Sequence, residues 1–198
     1  MNIIEQKYNW NGPFSSRLLT KYIILHHRAG NGDVQSIHST HLANGWTGIG
    51  YHFYVRKDGA VYRGRPIESV GAHCTGRNSE SVGICFEGNF QNEKMSDKQV
   101  QAGRELITYL KGLYPSAEVK KHSDFNATSC PGKHFLFEEI KRGTVKKELT
   151  TANEIIWELM NGKLKVEITE VDRAVKALEK AKAEDSSLYW ILRKIVNF

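Results

Sequence analysis

Cysteine and proline are scarce in this chain, with three cysteines (Cys74, Cys85, Cys130) and four prolines among 198 residues. So few cysteines, widely spaced, build no disulfide framework, which points to synthesis in a reducing cytoplasm. No CxxC pair occurs, which argues against a closed, four-ligand structural zinc site. No run of 18 or more apolar residues is present, so no membrane-spanning helix and no membrane partner is expected. The start of the chain, Met1-Asn2-Ile3-Ile4-Glu5-Gln6-Lys7, lacks an apolar stretch after a basic opening and reads as free of an export signal. The net charge of +6 comes without a clustered Lys/Arg stripe, so nucleic acid is not an expected partner. What remains is 40% apolar with a mean hydropathy of −0.47, a soluble globular composition. The length suits one domain of ordinary size plus a small appendage.

The local pattern predicts a mixed α/β layer architecture, a central β-sheet flanked by helices. Residues 21–27 read as a buried strand, and Asp33 as the cap of a helix through about Asn44. Residues 50–57 and 60–63 form a hairpin-like pair around Lys57-Asp58-Gly59, a strong turn signal. Residues 82–87 form another strand. Ser96 with Gln99 three residues on reads as a capping box, opening a helix to about Tyr114 that Pro115 ends. Residues 117–122 supply a further strand, and residues 133–142 a last helix.

The chemistry gathers at two distant places. The strand Tyr22-Ile23-Ile24-Leu25-His26-His27 ends in two imidazoles, and His122-Ser123-Asp124-Phe125-Asn126-Ala127-Thr128-Ser129-Cys130-Pro131-Gly132 offers a third with a thiol. Two histidines and a cysteine are a common way to hold zinc while leaving its fourth position open for catalysis. Pro131-Gly132 and the turn-forming Asp124, Asn126, Thr128 and Ser129 suit a rigid ligand loop. Strand alternation places His26 and His27 on opposite faces without choosing between them. A His-x7-Cys spacing alone is a weak signal among eight histidines. His38, His41 and His134 fall in helical segments and read as surface or packing residues. His52 is expected to point away from Tyr51, into or behind the sheet.

Four blocks in order carry more specificity: His26-His27-Arg28-Ala29-Gly30, Gly48-Ile49-Gly50-Tyr51-His52-Phe53, Ser81-Val82-Gly83-Ile84, and His122-Ser123-Asp124 with Thr128-Ser129-Cys130-Pro131-Gly132. Together, over roughly residues 17–143, they resemble the type 2 N-acetylmuramoyl-L-alanine amidases, the family of phage lysozyme-like amidases and peptidoglycan recognition proteins. The resemblance implies one catalytic Zn2+ held by His26, His122 and Cys130, and so prefers His26 to His27. It implies catalytic roles for Tyr51 and for Thr128, which stands beside the reacting carbonyl. Some branches carry a glutamate base where this chain has Cys85, so the resemblance is to the tyrosine-using branch. His73 and Asn78, in a Gly-rich loop suited to a groove wall, are candidate substrate contacts. For His73 the alternative is a loop histidine bonded to backbone. Glu87 is a further candidate contact, with an ion pair at the rim as its alternative.

The bond implied is the amide between the lactyl group of N-acetylmuramic acid and L-alanine of the stem peptide. Zinc acidifies water and polarises the carbonyl. Tyr51 then orients the water or moves its proton, and Tyr51 or Thr128 donates to the oxyanion. Without an export signal, an enzyme acting on the wall fits a phage endolysin made in the host cytoplasm. A cytoplasmic recycling amidase, or a recognition module that binds peptidoglycan without cutting it, are the alternatives.

The character changes after Gly143. Residues 144–198 have few turn residues and read as a small helical module, with Ile155, Ile156 and Leu159 on one face and Val171, Val175 and Leu178 on another. About fifty residues bury little core alone. The module is therefore expected to bind a cell-wall polymer through Tyr189 and Trp190, to self-associate, or to fill its own core with those aromatics. It carries 10 basic and 9 acidic residues, which leaves +5 of the net charge on residues 1–143. That balance suits an anionic wall surface.

Overall fold

A computed structural model describes residues 1–144 of the chain. The readings of residues 145–198 as a helical, wall-binding or self-associating module lie outside the described residues. Six strands form one sheet, β1 (Ile3–Ile4), β2 (Tyr22–His27), β3 (Phe53–Val55), β4 (Val61–Arg63), β5 (Ser81–Phe86) and β6 (Glu118–Lys121), in the spatial order β1-β4-β3-β5-β2-β6. Only β3 and β4 pair antiparallel; β1–β4, β3–β5, β5–β2 and β2–β6 are parallel, so the sheet is mixed. Among the described residues the α-helices are α1 (Val34–Ala43), α2 (Asp97–Leu113) and the short α3 (Phe137–Lys141).

The central strands are almost unbroken apolar runs because both faces of the sheet are covered. On one face Ile23 and Leu25, Phe53 and Val55, and Val82, Ile84 and Phe86 pack with Ala102, Leu106, Ile107 and Leu110 of α2 and Ile140 of α3. On the other, Tyr54 and Cys85 meet Val34 and Ile37 of α1 together with Ile49. The strand period of two thus sends Leu25 to α2 and its neighbour His26 to the α1 side.

Turn and cap chemistry fix the ends. Asp33 accepts from Ser36 N–H at 2.8 Å and opens α1. Ser96 accepts from Gln99 N–H at 3.1 Å and opens α2. The reciprocal half of the capping box is absent. Gln99 instead turns inward, fully buried, and its amide donates to Val55 O and Glu87 O at 3.2 and 2.9 Å. The β3–β4 hairpin turns at Gly59, whose φ of 88° favours glycine.

The structure departs from sequence expectation at three further places. The β3 ladder is three residues long rather than eight, because Tyr51 and His52 bond to neighbouring segments beyond the regular pairing, with His52 N–H donating to Gly83 O and Arg65 N–H to Tyr51 O. The last helix begins at Phe137 rather than Lys133. Its earlier donors are committed elsewhere, His134 N–H to Phe90 O and Leu136 N–H to the Met95 sulfur. His134 therefore sits in a turn, not a helix. Finally, β1 pairs with β4 from a two-residue segment too short to carry any periodicity.

Candidate active site

Residues that chain order keeps almost a hundred positions apart meet at the carboxyl ends of β2 and β6, where ligands of open α/β sheets gather. The parallel register pairs Leu25 with Lys121, so the next residues, His26 and His122, come side by side. Their ring centroids are 4.4 Å apart. Cys130 returns to them on a loop closed by Ser123 N–H donating to Cys130 O at 3.0 Å. The candidate ligand atoms of His26, His122 and Cys130 all lie within 4.8 Å of one another. Cys130 Sγ is 3.9 Å from His26 Nδ1 and accepts from the backbone N–H of His27 at 3.4 Å.

A zinc ion fits this donor set. Two imidazoles and a thiol match its preference for nitrogen and sulfur, and three protein donors leave one position open. Among the described residues no further His, Cys or carboxylate joins the group. His27 points the other way, with Nδ1 accepting from Phe90 N–H at 3.2 Å. Burial, with His122 and His27 nearby, holds the His26 imidazole neutral, well below its usual pKa, and burial lowers His122 as well. Neutral rings keep a lone pair for a metal. Burial pushes the Cys130 thiol up to about 11 in the metal-free protein, against the pull of the His27 N–H.

The second ligand is braced from outside. His122 Nε2 lies 3.1 Å from Asn126 Oδ1, and an amide oxygen only accepts, so the proton of His122 sits on Nε2. That leaves Nδ1 bare. Asn126 Oδ1 also accepts from the Cys74 thiol at 3.1 Å, and its amide donates to Thr75 O.

Tyr51 stands beside the cluster, its ring centroid 5.2 Å from that of His26. Burial, then Cys85 and Cys130, raise its phenol well above the usual range. The two residues before it are pinned from α1: Ile49 N–H donates to His38 Nδ1 at 3.2 Å and Gly50 N–H to His41 Nδ1 at 3.0 Å. A Cβ on Gly50 would meet Ala72 O at 2.0 Å, so only glycine lets the two backbones approach here. Cys85 lies fully buried in β5, paired in register with His26 and Tyr54. No carboxylate takes its place there.

The remaining candidates are distributed around this centre. Thr128 is exposed, and its hydroxyl accepts from Cys130 N–H at 3.2 Å. His73 is 8% exposed, with Nδ1 3.0 Å from His26 Nε2. Asn78 Oδ1 accepts from the backbone of His73 and Cys74 at 2.8 and 2.9 Å, tying their loop. Glu87 is 5% exposed and braces the fold, accepting from Gly32 N–H, Lys57 N–H and Arg56 Nε at 3.0, 3.2 and 3.1 Å. Burial pushes its carboxyl up, but these three donors together hold it below its usual value. His52, fully buried, points away from the cluster toward Gly83 N–H and Ser69 O. Sequence reasoning missed the contributions of His38, His41 and Asn126. A periodicity argument sees only a helix face and a turn residue, whereas their partners are backbone and ring groups 4 to 11 residues away that no repeat connects.

The family model described as N-acetylmuramoyl-L-alanine amidase matches residues 16–133. The endolysin of Klebsiella phage KP32 is 34% identical over 149 residues, covering 71% of this chain and 95% of the relative. Peptidoglycan-recognition protein SC2 of Drosophila melanogaster is 34% identical, covering 65% and 80%. Among solved structures, the N-acetylmuramoyl-L-alanine amidase LysC from Clostridium intestinale superposes with a TM-score of 0.69 at 43% identity, over 71% of this chain and 95% of that one. The chain belongs to the N-acetylmuramoyl-L-alanine amidase family.

Proposed function

We propose that this amidase is zinc-dependent, cleaves the bond between N-acetylmuramic acid and the L-alanine of the peptidoglycan stem, and serves as a lytic endolysin acting on the cell wall. The observation that carries the reading is the convergence of His26, His122 and Cys130 within 4.8 Å, with Tyr51 alongside. The similarity to a phage endolysin supports the lytic role, and the net charge of +6 suits an anionic wall surface.

In this reading His26, His122 and Cys130 hold the ion, which would supply Lewis-acid polarisation and acidify water. The chain supplies the rest. Tyr51, kept neutral by burial, donates its phenolic proton toward charge developing on the substrate carbonyl oxygen. Thr128 already accepts from Cys130 N–H, so its own hydroxyl proton is left to donate to the same oxygen. His38 and His41 fix the Ile49-Gly50 backbone that leads into Tyr51, so the donor is in place before substrate arrives. The model match ends at residue 133, which fits a catalytic domain over residues 1–143 followed by a separate module over 144–198.

The test counts new L-alanine amino termini released from purified peptidoglycan by the full chain, with its metal intact, chelated and restored. Release that vanishes on chelation and returns with zinc is the expected outcome. Binding without release from several wall types, under zinc-replete conditions, overturns the reading in favour of recognition alone.

A further inference from the structure

Only one proton arrangement makes every contact in the chain behind His26 a hydrogen bond, and it can be followed from its far end. Ser81 Oγ lies 2.6 Å from Arg77 O. A carbonyl only accepts, so the single hydroxyl proton of Ser81 is committed there. Its oxygen is left to accept from His73 Nε2, 3.4 Å away. His73 then carries its proton on Nε2, and its Nδ1 is an acceptor. The 3.0 Å contact between that Nδ1 and His26 Nε2 requires the His26 proton on Nε2. The nitrogen left bare on His26 is Nδ1, the atom 3.9 Å from Cys130 Sγ.

The His73 ring is held in a slot made for it. A Cβ on Gly71 or on Gly83 would meet the ring at 2.5 Å, so these two glycines clear its faces. Asn78 Oδ1 fixes the His73 and Cys74 backbone from below. The ring has no free nitrogen and 8% exposure, which leaves little of it for a substrate.

We propose that His73 is a positioning residue, which locks His26 in the tautomer that turns a bare Nδ1 toward Cys130 and His122, through the chain His26 to His73 to Ser81 to Arg77 O. The proposal rests on the reading of His26, His122 and Cys130 as the metal cradle. Together with Asn126 behind His122, it makes the loop between β4 and β5 and the loop before Cys130 two halves of one outer shell. Such partners orient a ligating imidazole, and their loss typically weakens metal affinity about 10- to 100-fold.

The test measures zinc affinity by chelator competition in the full chain and in the variants His73→Leu and His73→Asn. Leucine fills the slot without an acceptor; asparagine places Oδ1 where Nδ1 stood. A loss of about 10- to 100-fold in the leucine variant, recovered largely in the asparagine variant, is expected, with a changed visible spectrum of the cobalt-loaded leucine protein. Parent-like zinc affinity in the leucine variant, with only KM raised, overturns the proposal and makes His73 a substrate contact. Equal losses in both variants also overturn it, since packing rather than the hydrogen bond would then be responsible. A parent chain that holds no zinc at all instead sinks the underlying reading. Nitrogen-15 NMR of the metal-free parent needs no substitution: His26 and His73 are both expected as Nε2–H tautomers, and Nδ1–H on either ring overturns the chain of donors.

Discussion

A phenol beside a metal cradle contributes through its proton, and at Tyr51 burial keeps that proton on the oxygen. Tyr51 is therefore read as a donor to developing negative charge, a different task from that of the three cradle residues. The two tasks separate by substitution. Tyr51→Phe keeps the ring against His26 and removes only the hydroxyl, so folding and zinc content are expected to stay parent-like while kcat/KM falls about 10²- to 10⁴-fold. Cys130→Ser replaces a soft thiolate ligand and is expected to lose zinc and cleavage together. Metal analysis alongside the alanine-release assay checks both. A Tyr51→Phe protein that has shed its zinc, or that cleaves at the parental rate, refutes the division of labour. At this scale the sequence spoke unevenly. His26 and His27 are chemically identical neighbours, which strand pattern does not tell apart; the family resemblance chose His26, and register with β6 and the direction of the α1 face give the physical reason. Asn126, His38 and His41 act through partners 4 to 11 residues distant in sequence or on other elements, which no local pattern exposes.

At the scale of elements, caps and apolar runs do most to fix where strands and helices begin. Ser96 does two things at the start of α2, accepting from Gln99 N–H and donating to Lys57 O in the β3–β4 turn. Ser96→Ala removes the cap and a tie between helix and hairpin, so a stability loss of about 1–2 kcal/mol is expected in urea unfolding. A loss near zero would show that the α2 end is held by packing alone. The same helix shows why elements were legible in sequence. The apolar residues Leu106, Ile107 and Leu110 recur on one face, Ser96 marks the start, and Pro115 marks the end. The strands β2 and β5 were legible as β-branched and apolar runs flanked by polar residues. The start of α3 was not, because His134 and Leu136 spend their backbone donors on Phe90 O and on the Met95 sulfur, contacts set by tertiary packing. The capping box was half right for a similar reason: Gln99 finds better acceptors in Val55 O and Glu87 O than at its own helix terminus.

For the whole molecule, the buried histidines couple folding to acidity. His52 is fully buried in a slot that suits only the neutral ring: Nδ1 accepts from Gly83 N–H at 3.0 Å and Nε2–H donates to Ser69 O at 2.9 Å. A second ring proton would face the Gly83 N–H, donor against donor. Burial lowers its pKa to about 3, the Ser69 bond opposes the shift, and Arg17, Arg65 and Arg63 add to it. His73 is the nearest other titratable ring, its centroid 5.7 Å away. His41, behind Tyr51, is lowered to about 4, chiefly by burial. In the unfolded chain these rings titrate near the ordinary 6.5. The unfolded state therefore takes up protons first as pH falls, so the stability His52 contributes is complete above about pH 6.5 and is lost progressively down to about pH 3. The slope for one such proton is up to about 1.4 kcal/mol per pH unit. Urea unfolding of the parent and of His52→Gln, both in chelator so that metal release plays no part, isolates this ring. The other buried histidines titrate in both proteins and cancel. The variant is expected to be less stable at about pH 7.5, and the gap to close as pH falls toward about 4.5. A gap that stays constant across that range would mean that His52 holds the β5 backbone without linking it to protons.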